Sequence, residues 1–183
     1  MIYSISLKCL LKGLNPHQNR TIPPLKYSVV HRLTQDFPDC HFTLNGGVLS
    51  LEQCVDLLDA NPSLQGIMIG RAAYNSPWML RHADTMVMGQ THDPGYSRRE
   101  LIANYLDYAE EIQDEWRNHP HYHMKTSDLM KPLLSLFHHE PGGKRFKQKM
   151  SCSSHHLKTH GLRSLVDYAL DQTIDASILD ARS

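Results

Sequence analysis

Two glycine-containing turns, one βα repeat apart, constrain the fold of this chain more than any other feature. The first is Asn45-Gly46-Gly47, which ends a short β-type run at residues 41–44; the second is Gly70-Arg71, which ends an apolar run at residues 66–70. Adjacent residues without a Cβ let backbone N–H groups close on an anion, and an arginine at a helix start adds a cation. The loops after the seventh and eighth strands of a (β/α)8 barrel form its usual phosphate site, and this spacing predicts that arrangement.

The residues between the two turns have the pattern of a helix. Ser50-Leu51-Glu52-Gln53 has the spacing of a capping box, and Asn61-Pro62 ends the segment. Either turn alone is more often only a tight turn or the end of a strand. Together they predict a phosphate site, which would hold flavin mononucleotide (FMN) or a sugar phosphate.

The length and the order of elements predict part of a barrel. A complete (β/α)8 barrel typically needs about 250 residues, whereas this chain has 183. Before residue 90 the predicted order is β, α, β, α, β, α, starting with a strand at residues 2–6. The residues predicted to face inward on the first helix are Tyr27, Val30, Leu33 and Phe37. A last helix, predicted from about Ser76, carries Trp78, Met79, Leu80 and Met86. We therefore expect an α/β plus α chain: the C-terminal part of a TIM barrel, about strands 6–8, followed by a small helical bundle.

The pattern becomes helical after a polar loop at residues 90–96, which is the predicted domain boundary. Ser97 and Glu100 have capping-box spacing, and apolar residues then recur at helical intervals. Further helices are predicted around residues 129–137, 144–158 and 163–176. We therefore expect a first domain at residues 1–90 and a helical domain at residues 97–183.

Charge is unevenly distributed, although the formal net charge is zero. Residues 141–166 contain no Asp or Glu, and cations are concentrated there. An acid-free basic helix behind a Pro-Gly-Gly turn predicts a surface for a polyanion, the alternative being an ordinary solvated face. The cations predicted to contact it are Lys131, Lys144, Arg145, Lys147 and Lys149.

Several classes of protein and site are disfavoured. No run of about 20 apolar residues is present, so no membrane-spanning helix is expected, and residues 1–11 fit a strand entering a helix better than a signal peptide. Four widely spaced cysteines without Cys-x-x-Cys argue against a disulfide framework and against a thiolate metal site. Of thirteen histidines only His156 and His160 have i, i+4 spacing, without a third ligand, so no metal site is predicted.

Several motifs, in order along residues 8–173, carry a resemblance to a known family. They are Leu11-Lys12-Gly13-Leu14-Asn15-Pro16, Asn19-Arg20-Thr21-Ile22-Pro23-Pro24-Leu25-Lys26-Tyr27, Asp36-Phe37-Pro38, Asn45-Gly46-Gly47, Gly70-Arg71-Ala72-Ala73-Tyr74-Asn75-Ser76-Pro77-Trp78 and Leu136-Phe137-His138-His139-Glu140-Pro141-Gly142. This set resembles the C-terminal part of tRNA-dihydrouridine synthases, and is most similar to the DusA type. Other flavin barrels share the two glycine turns but not the Asn-Arg-x-Ile-Pro-Pro-Leu segment or the helical tail.

The resemblance implies an FMN enzyme that reduces the C5–C6 bond of a uridine in tRNA, with NADPH as the electron source. In that family hydride passes from reduced FMN to C6, and a cysteine in an Asn-x-Gly-Cys-Pro motif protonates C5. The uridine has to leave the base stack to reach the flavin. By resemblance, Asn45, Gly46, Gly47, Gly70 and Arg71 would hold the FMN phosphate, and the helical domain would bind tRNA through the five cations named above.

The chain also departs from the family pattern. It contains no Asn-x-Gly-Cys-Pro, so no catalytic residue is predicted in it, and Ile5-Ser6-Leu7-Lys8 stands where the family has His-x-Arg-Lys. We therefore expect a fragment of the enzyme that is inactive alone, with the missing N-terminal half of the barrel as its partner. The alternatives are a non-catalytic RNA-binding protein and a non-functional truncated product. The absence of an Arg/Ser-rich transit segment favours the cytoplasm, with an organelle as the alternative.

Overall fold

The computed structural model describes residues 2–5, 15, 18, 24–117, 119, 125–152 and 154–182. Lys8, Cys9 and most of the predicted loop at residues 13–24 lie outside this set, as does the stretch from Asn19 to Pro23. Contacts divide the chain into two compact units, one of residues 1–73 with 86–89 and the other of residues 74–85 with 90–183. Residues 74–85, which the sequence placed with the first domain, therefore pack with the second unit.

The first unit is built on a three-stranded parallel sheet. Its strands are β1 (Ile2–Ile5), β2 (Phe42–Asn45) and β3 (Leu64–Met68), in the order β1-β2-β3. Helix α1 (Tyr27–Asp36) precedes β2, and helix α2 (Leu51–Ala60) joins β2 to β3. The described part of the unit thus repeats strand and helix as predicted, although β3 begins and ends two residues earlier than the predicted run.

The core of this unit lies between the sheet and its helices. Phe42 and Leu44 of β2 pack with Val30 of α1 and Cys54 of α2, and all four are buried. Phe37 was predicted to face this core, and that prediction is wrong, because its side chain is 53% exposed. Helix α1 ends at Asp36, and Phe37 is the C-cap with a non-helical backbone, so the 3.6-residue period no longer sets its direction.

Helix α2 is fixed at both ends by side chains. The Ser50 hydroxyl accepts a hydrogen bond from the Gln53 backbone N–H at 3.2 Å, while the Gln53 side-chain Oε1 accepts from the Leu49 backbone N–H at 2.9 Å. At the other end Asn61 is the C-cap, and its side-chain amide donates to the Thr34 hydroxyl at 3.2 Å. These bonds fix where β2 turns into the helix, which positions the first glycine turn.

The second unit is helical. A short helix, α3 (Arg71–Asn75), begins in the first unit; a 3₁₀ turn (Pro77–His82) and α4 (Ala83–Met86) follow it, so the single helix predicted from Ser76 is not formed. The long helix α5 (Arg98–Trp116) is followed by α6 (Thr126–Met130), a second 3₁₀ turn (Lys131–Ser135), α7 (Gly143–Cys152), α8 (Ser154–Thr173) and α9 (Ala176–Leu179). Helix α8 contains one non-helical residue, Gly161. Two helices were predicted at residues 144–158 and 163–176. In the structure, the first ends at Cys152 and the second already begins at Ser154.

The core of the second unit joins every long helix. Ile102 and Leu106 of α5 are buried together with Phe137, Phe146 of α7 and Leu165 of α8. The rings of Phe137 and Phe146 meet edge to face at a centroid distance of 5.0 Å, a favourable aromatic geometry. No helix in the described ranges is long and apolar enough to cross a membrane.

Candidate functional site

The strand register brings the two predicted phosphate turns together. Asn45, the last residue of β2, pairs with Met68, the last residue of β3. Both strands run in the same direction and neighbouring strands lie about 4.8 Å apart, so the turns that follow leave the sheet at the same edge. This is the carboxyl edge, where ligands of parallel α/β sheets bind.

The first turn has a conformation that requires glycine. Gly46 and Gly47 have φ values of 140° and 69°, and a Cβ on Gly47 would overlap with the Leu25 side chain. The Tyr27 hydroxyl donates a hydrogen bond to the Gly46 carbonyl oxygen at 2.6 Å. Burial raises the pKa of Tyr27, so this hydroxyl keeps its proton and remains a donor. Leu25 and Tyr27, which sequence reasoning did not assign to the site, therefore hold the turn in place.

The second turn supplies a cation rather than a special backbone. Gly70 has no left-handed φ, and a Cβ there would only touch the Met68 sulfur at 3.5 Å. Arg71 is exposed and makes no ion pair within the described part of the chain. The backbone N–H groups of Gly47 and Val48 also find no acceptor among residues 24–117. Backbone N–H groups and a guanidinium that have no partner among the described residues, at one edge of the sheet, are groups that suit a phosphate.

The basic helix α7 presents its predicted cations on two faces. Phe146 and Met150 are buried on its inner side. Lys144 and Lys147 lie three residues apart and share one outer face, whereas Arg145 and Lys149 lie four apart and share another. The structure thus divides what the sequence suggested was one basic stripe.

Some of the cations are already engaged. Lys131 forms an ion pair with Asp128 at 2.6 Å, and the Lys149 ammonium lies 4.7 Å from the centre of the Tyr168 ring. Arg163 bridges to α5 through Asp107 and Glu110, at 2.7 Å to each. Hydrogen bonds from the carboxylates raise the pKa of Arg163. In contrast, Lys144 and Lys147 make no hydrogen bond or ion pair to any other described residue.

A buried arginine links the start of α5 to the loop before α7. Arg98 lies between the rings of Trp78 and Phe137, with its guanidinium 4.4 Å and 5.7 Å from their centres. It forms an ion pair with Glu140 and donates to the Ile178 carbonyl oxygen at 3.3 Å. From the sequence, only the neighbouring Ser97 was assigned a role, as a helix cap. The contacts of Arg98 with Glu140 and Ile178 join residues far apart in the chain, so no local pattern could reveal them.

Metal and disulfide chemistry find no support among the described residues. No three His, Cys, Asp or Glu side chains in these ranges form a group that could hold a metal ion. Cys40, Cys54 and Cys152 are free thiols, and burial raises the pKa of Cys54. Two separate candidate sites remain, the two turns of the first unit and the basic helix of the second.

Strands β2 and β3 are parallel, and each ends in a turn that leads into a helix, which places the first unit in the α/β class with a candidate anion site at its carboxyl edge. The profile of the family described as Dihydrouridine synthase (Dus) matches residues 12–174. The chain therefore belongs to the dihydrouridine synthase family.

Curated relatives agree with this assignment. The chain is 36% identical over 146 residues to the tRNA-dihydrouridine(20/20a) synthase of Pseudomonas aeruginosa, covering 80% of this chain and 41% of the relative. It is 33% identical over 163 residues to the synthase of the same description from Xanthomonas axonopodis, covering 89% and 44%. A relative from Synechocystis is 34% identical over 147 residues. The chain thus spans about two fifths of the length of these relatives.

Proposed function

We propose that these 183 residues provide the FMN phosphate-binding turns and the tRNA-binding helices of a tRNA-dihydrouridine synthase. The proposal depends chiefly on one observation, the pairing of Asn45 with Met68, which sets both turns at the carboxyl edge of the sheet. In this proposal β1, β2 and β3 are strands 6, 7 and 8 of a TIM barrel. The first unit would then be the FMN-binding part and the second the tRNA-binding part.

The chemistry of the turns suits the phosphate of FMN. The N–H groups of Gly47 and Val48 and the guanidinium of Arg71 would hold it, with Tyr27 and Leu25 fixing the shape of the turn. When bound, FMN would supply hydride to the C5–C6 bond of uridine, with NADPH as the reductant. Because the chain contains no Asn-x-Gly-Cys-Pro motif, the proton for C5 would come from residues outside it. We therefore propose that this chain does not reduce uridine by itself.

The basic helix supports tRNA as the partner of the second unit. Lys144, Arg145 and Lys147 are exposed, and Lys149 is partly exposed. Exposed cations neutralise phosphates without reading bases, so binding would tolerate changes of sequence. Lys131 would contribute less because Asp128 already pairs with it. The same surface supports a second candidate function, RNA binding without catalysis.

A titration of labelled tRNA at several salt concentrations tests the assignment. We expect Lys144→Glu/Arg145→Glu/Lys147→Glu to weaken binding and to reduce the log–log salt slope by about two, at about 0.7 to 0.9 per lost phosphate contact. The matched control is Lys26→Glu/Arg32→Glu/Lys125→Glu, which changes the net charge equally at exposed cations outside α7. Equal affinities and slopes for the two triple variants would contradict the tRNA assignment. Dihydrouridine formed by this chain with FMN and NADPH, above a control without protein, would contradict its inactivity.

A further inference from the structure

A cleft in the second unit lies beside the basic helix and includes two of its cations, Lys144 and Lys147. Its volume is about 620 Å³, within the range of small-molecule sites. His138, His139 and Asn75 line it together with Lys144 and Lys147. All five side chains are exposed and polar, whereas Leu134 and Phe137 give the cleft an apolar wall.

The charge of the cleft is positive. Its only acidic lining residue among those described is Glu140, and the Glu140 carboxylate is paired with the buried guanidinium of Arg98. The ammonium groups of Lys144 and Lys147 have no acidic partner in the described ranges. Because the two lysines lie on one face of α7, they can contact the same anion. The cleft therefore suits a phosphate at the lysine end.

The histidine part of the lining suits a planar ring. The imidazoles of His138 and His139 stack with a centroid distance of 3.9 Å and an interplanar angle of 23°. A base placed on an outer face of this pair would extend the stack, which is how proteins commonly hold unstacked bases. The Asn75 side-chain amide offers both a donor and an acceptor for the edge of that base.

We propose that this cleft binds one unstacked nucleotide, with its phosphate at Lys144 and Lys147 and its base on the His138–His139 pair. The inference rests on the proposed function in one respect, because bound tRNA would be the source of the nucleotide. It adds base stacking at a defined cleft to a surface that otherwise contacts only phosphates. Arg98 is a positioning residue for the site, since it holds Glu140 and thereby the segment that carries both histidines.

The test uses nuclear magnetic resonance of the isotope-labelled full chain with three probes: 5′-AMP, adenosine and inorganic phosphate. We expect saturable shifts for 5′-AMP, with adenosine and phosphate each binding at least about fivefold more weakly. Lys144→Gln/Lys147→Gln should weaken 5′-AMP by about tenfold or more and leave adenosine unchanged. His139→Gly should weaken 5′-AMP and adenosine by at least about fivefold and leave phosphate unchanged.

Two features keep this test decisive. His139 has a φ of 69°, a conformation that glycine adopts more easily, so His139→Gly should fold. His138→Ala is a second variant that also removes the stacked pair of imidazoles. Lys125→Gln is the charge control, because Lys125 is exposed and does not line the cleft. Phosphate that binds as tightly as 5′-AMP would overturn the proposal, and so would an equal loss in Lys125→Gln.

The source of the nucleotide is tested separately with a short single-stranded oligoribonucleotide. We expect it to shift the same histidine and lysine signals and to compete with 5′-AMP. Free nucleotide binding without competition by the oligonucleotide would overturn RNA as the source. If tRNA binds through α7 but 5′-AMP does not bind, the nucleotide cleft is wrong and the proposed function stands. If 5′-AMP binds in the cleft but tRNA does not bind, the proposed function is wrong in its partner.

Discussion

Gly142 and Gly161 have the same backbone φ but different surroundings. Their φ values are 84° and 85°. A Cβ on Gly142 would overlap with the Thr173 carbonyl oxygen, whereas a Cβ on Gly161 would have nothing within 4 Å. Gly142 therefore allows both a left-handed backbone turn before α7 and a close approach to the end of α8. Gly161 allows only the left-handed backbone, which interrupts α8.

This difference predicts unequal costs for the same substitution. Gly161→Ala should cost about 1–3 kcal/mol of unfolding free energy, from backbone strain alone. Gly142→Ala should cost at least about 1–3 kcal/mol more, because overpacking is added to the strain. Urea unfolding of both variants at neutral pH measures the two values. Equal costs would show that the space around Gly142 relaxes freely.

Asp93 makes the stability of the second unit depend on pH. Its carboxylate accepts hydrogen bonds from the Thr85 N–H and hydroxyl, both at 3.0 Å, and lies 2.9 Å from the His82 ring. The hydrogen bond with His82 is the main cause that lowers the pKa of Asp93, and those from Thr85 add to it. A carboxylate with a lowered folded pKa stabilises the fold above its unfolded pKa of about 3.9, and this stabilisation is lost as pH falls through the folded pKa.

We therefore expect the unfolding free energy of the wild type to exceed that of Asp93→Asn by the largest amount at pH 6. This difference should become smaller below about pH 4. Urea unfolding at a series of pH values measures it. Asp59→Asn, which removes an exposed carboxylate from the other unit, corrects for the change in net charge. A difference that stays constant down to pH 3 would mean that the ionised carboxylate does not contribute.

At the scale of the elements, the helix starts capped by Ser50 and Ser97 were predictable, whereas the segment after Ser76 and the direction of Phe37 at the end of α1 were not. The starts of α2 and α5 depend on contacts within four residues, at Ser50 and Ser97, so their sequence patterns suffice. Leu80 was expected on a regular helix from about Ser76, yet it lies in a 3₁₀ turn, and it is 41% exposed. Where a helix ends or becomes a 3₁₀ turn depends on packing between segments distant in sequence, and a local pattern does not contain this information.

The cap of α5 gives a prediction for this element. The Ser97 hydroxyl accepts from the Glu100 N–H at 3.2 Å, and the Glu100 carboxylate accepts from the Ser97 N–H at 2.9 Å. Ser97→Ala should therefore destabilise the second unit by about 1 kcal/mol. Ser127→Ala, an exposed serine in the first turn of α6, is the control and should change stability by less than about 0.5 kcal/mol. Urea unfolding of both variants measures the two changes in unfolding free energy. Similar changes would mean that the capping box does not stabilise the fold.

At the scale of the whole molecule, the family and the pairing of the strands that precede the two turns were predictable from the sequence, while the grouping of segments was not. Asn45-Gly46-Gly47 and Gly70-Arg71 follow paired strands as the βα spacing indicated. By contrast, Trp78 packs against the core of the second unit although it precedes the polar loop at residues 90–96. The nucleotide cleft also escaped prediction, because it combines Asn75 with residues about 60 positions further along the chain. Contacts of this range follow from tertiary packing rather than from periodicity.

The last prediction concerns FMN, which we expect the isolated chain to bind weakly or not at all. The phosphate turns are present, but the chain spans only about two fifths of its relatives, and ligand sites obtain most of their contact from enclosing apolar walls. A phosphate held by a few N–H groups and Arg71 would give a Kd of about 1 mM. Equilibrium dialysis followed by visible absorbance of the flavin measures this Kd.

Arg71→Gln should remove the residual FMN binding, whereas Arg32→Gln, which changes an exposed arginine on α1, should not. A purified protein that is yellow with near-stoichiometric FMN would contradict this prediction and would show that these 183 residues enclose the flavin by themselves.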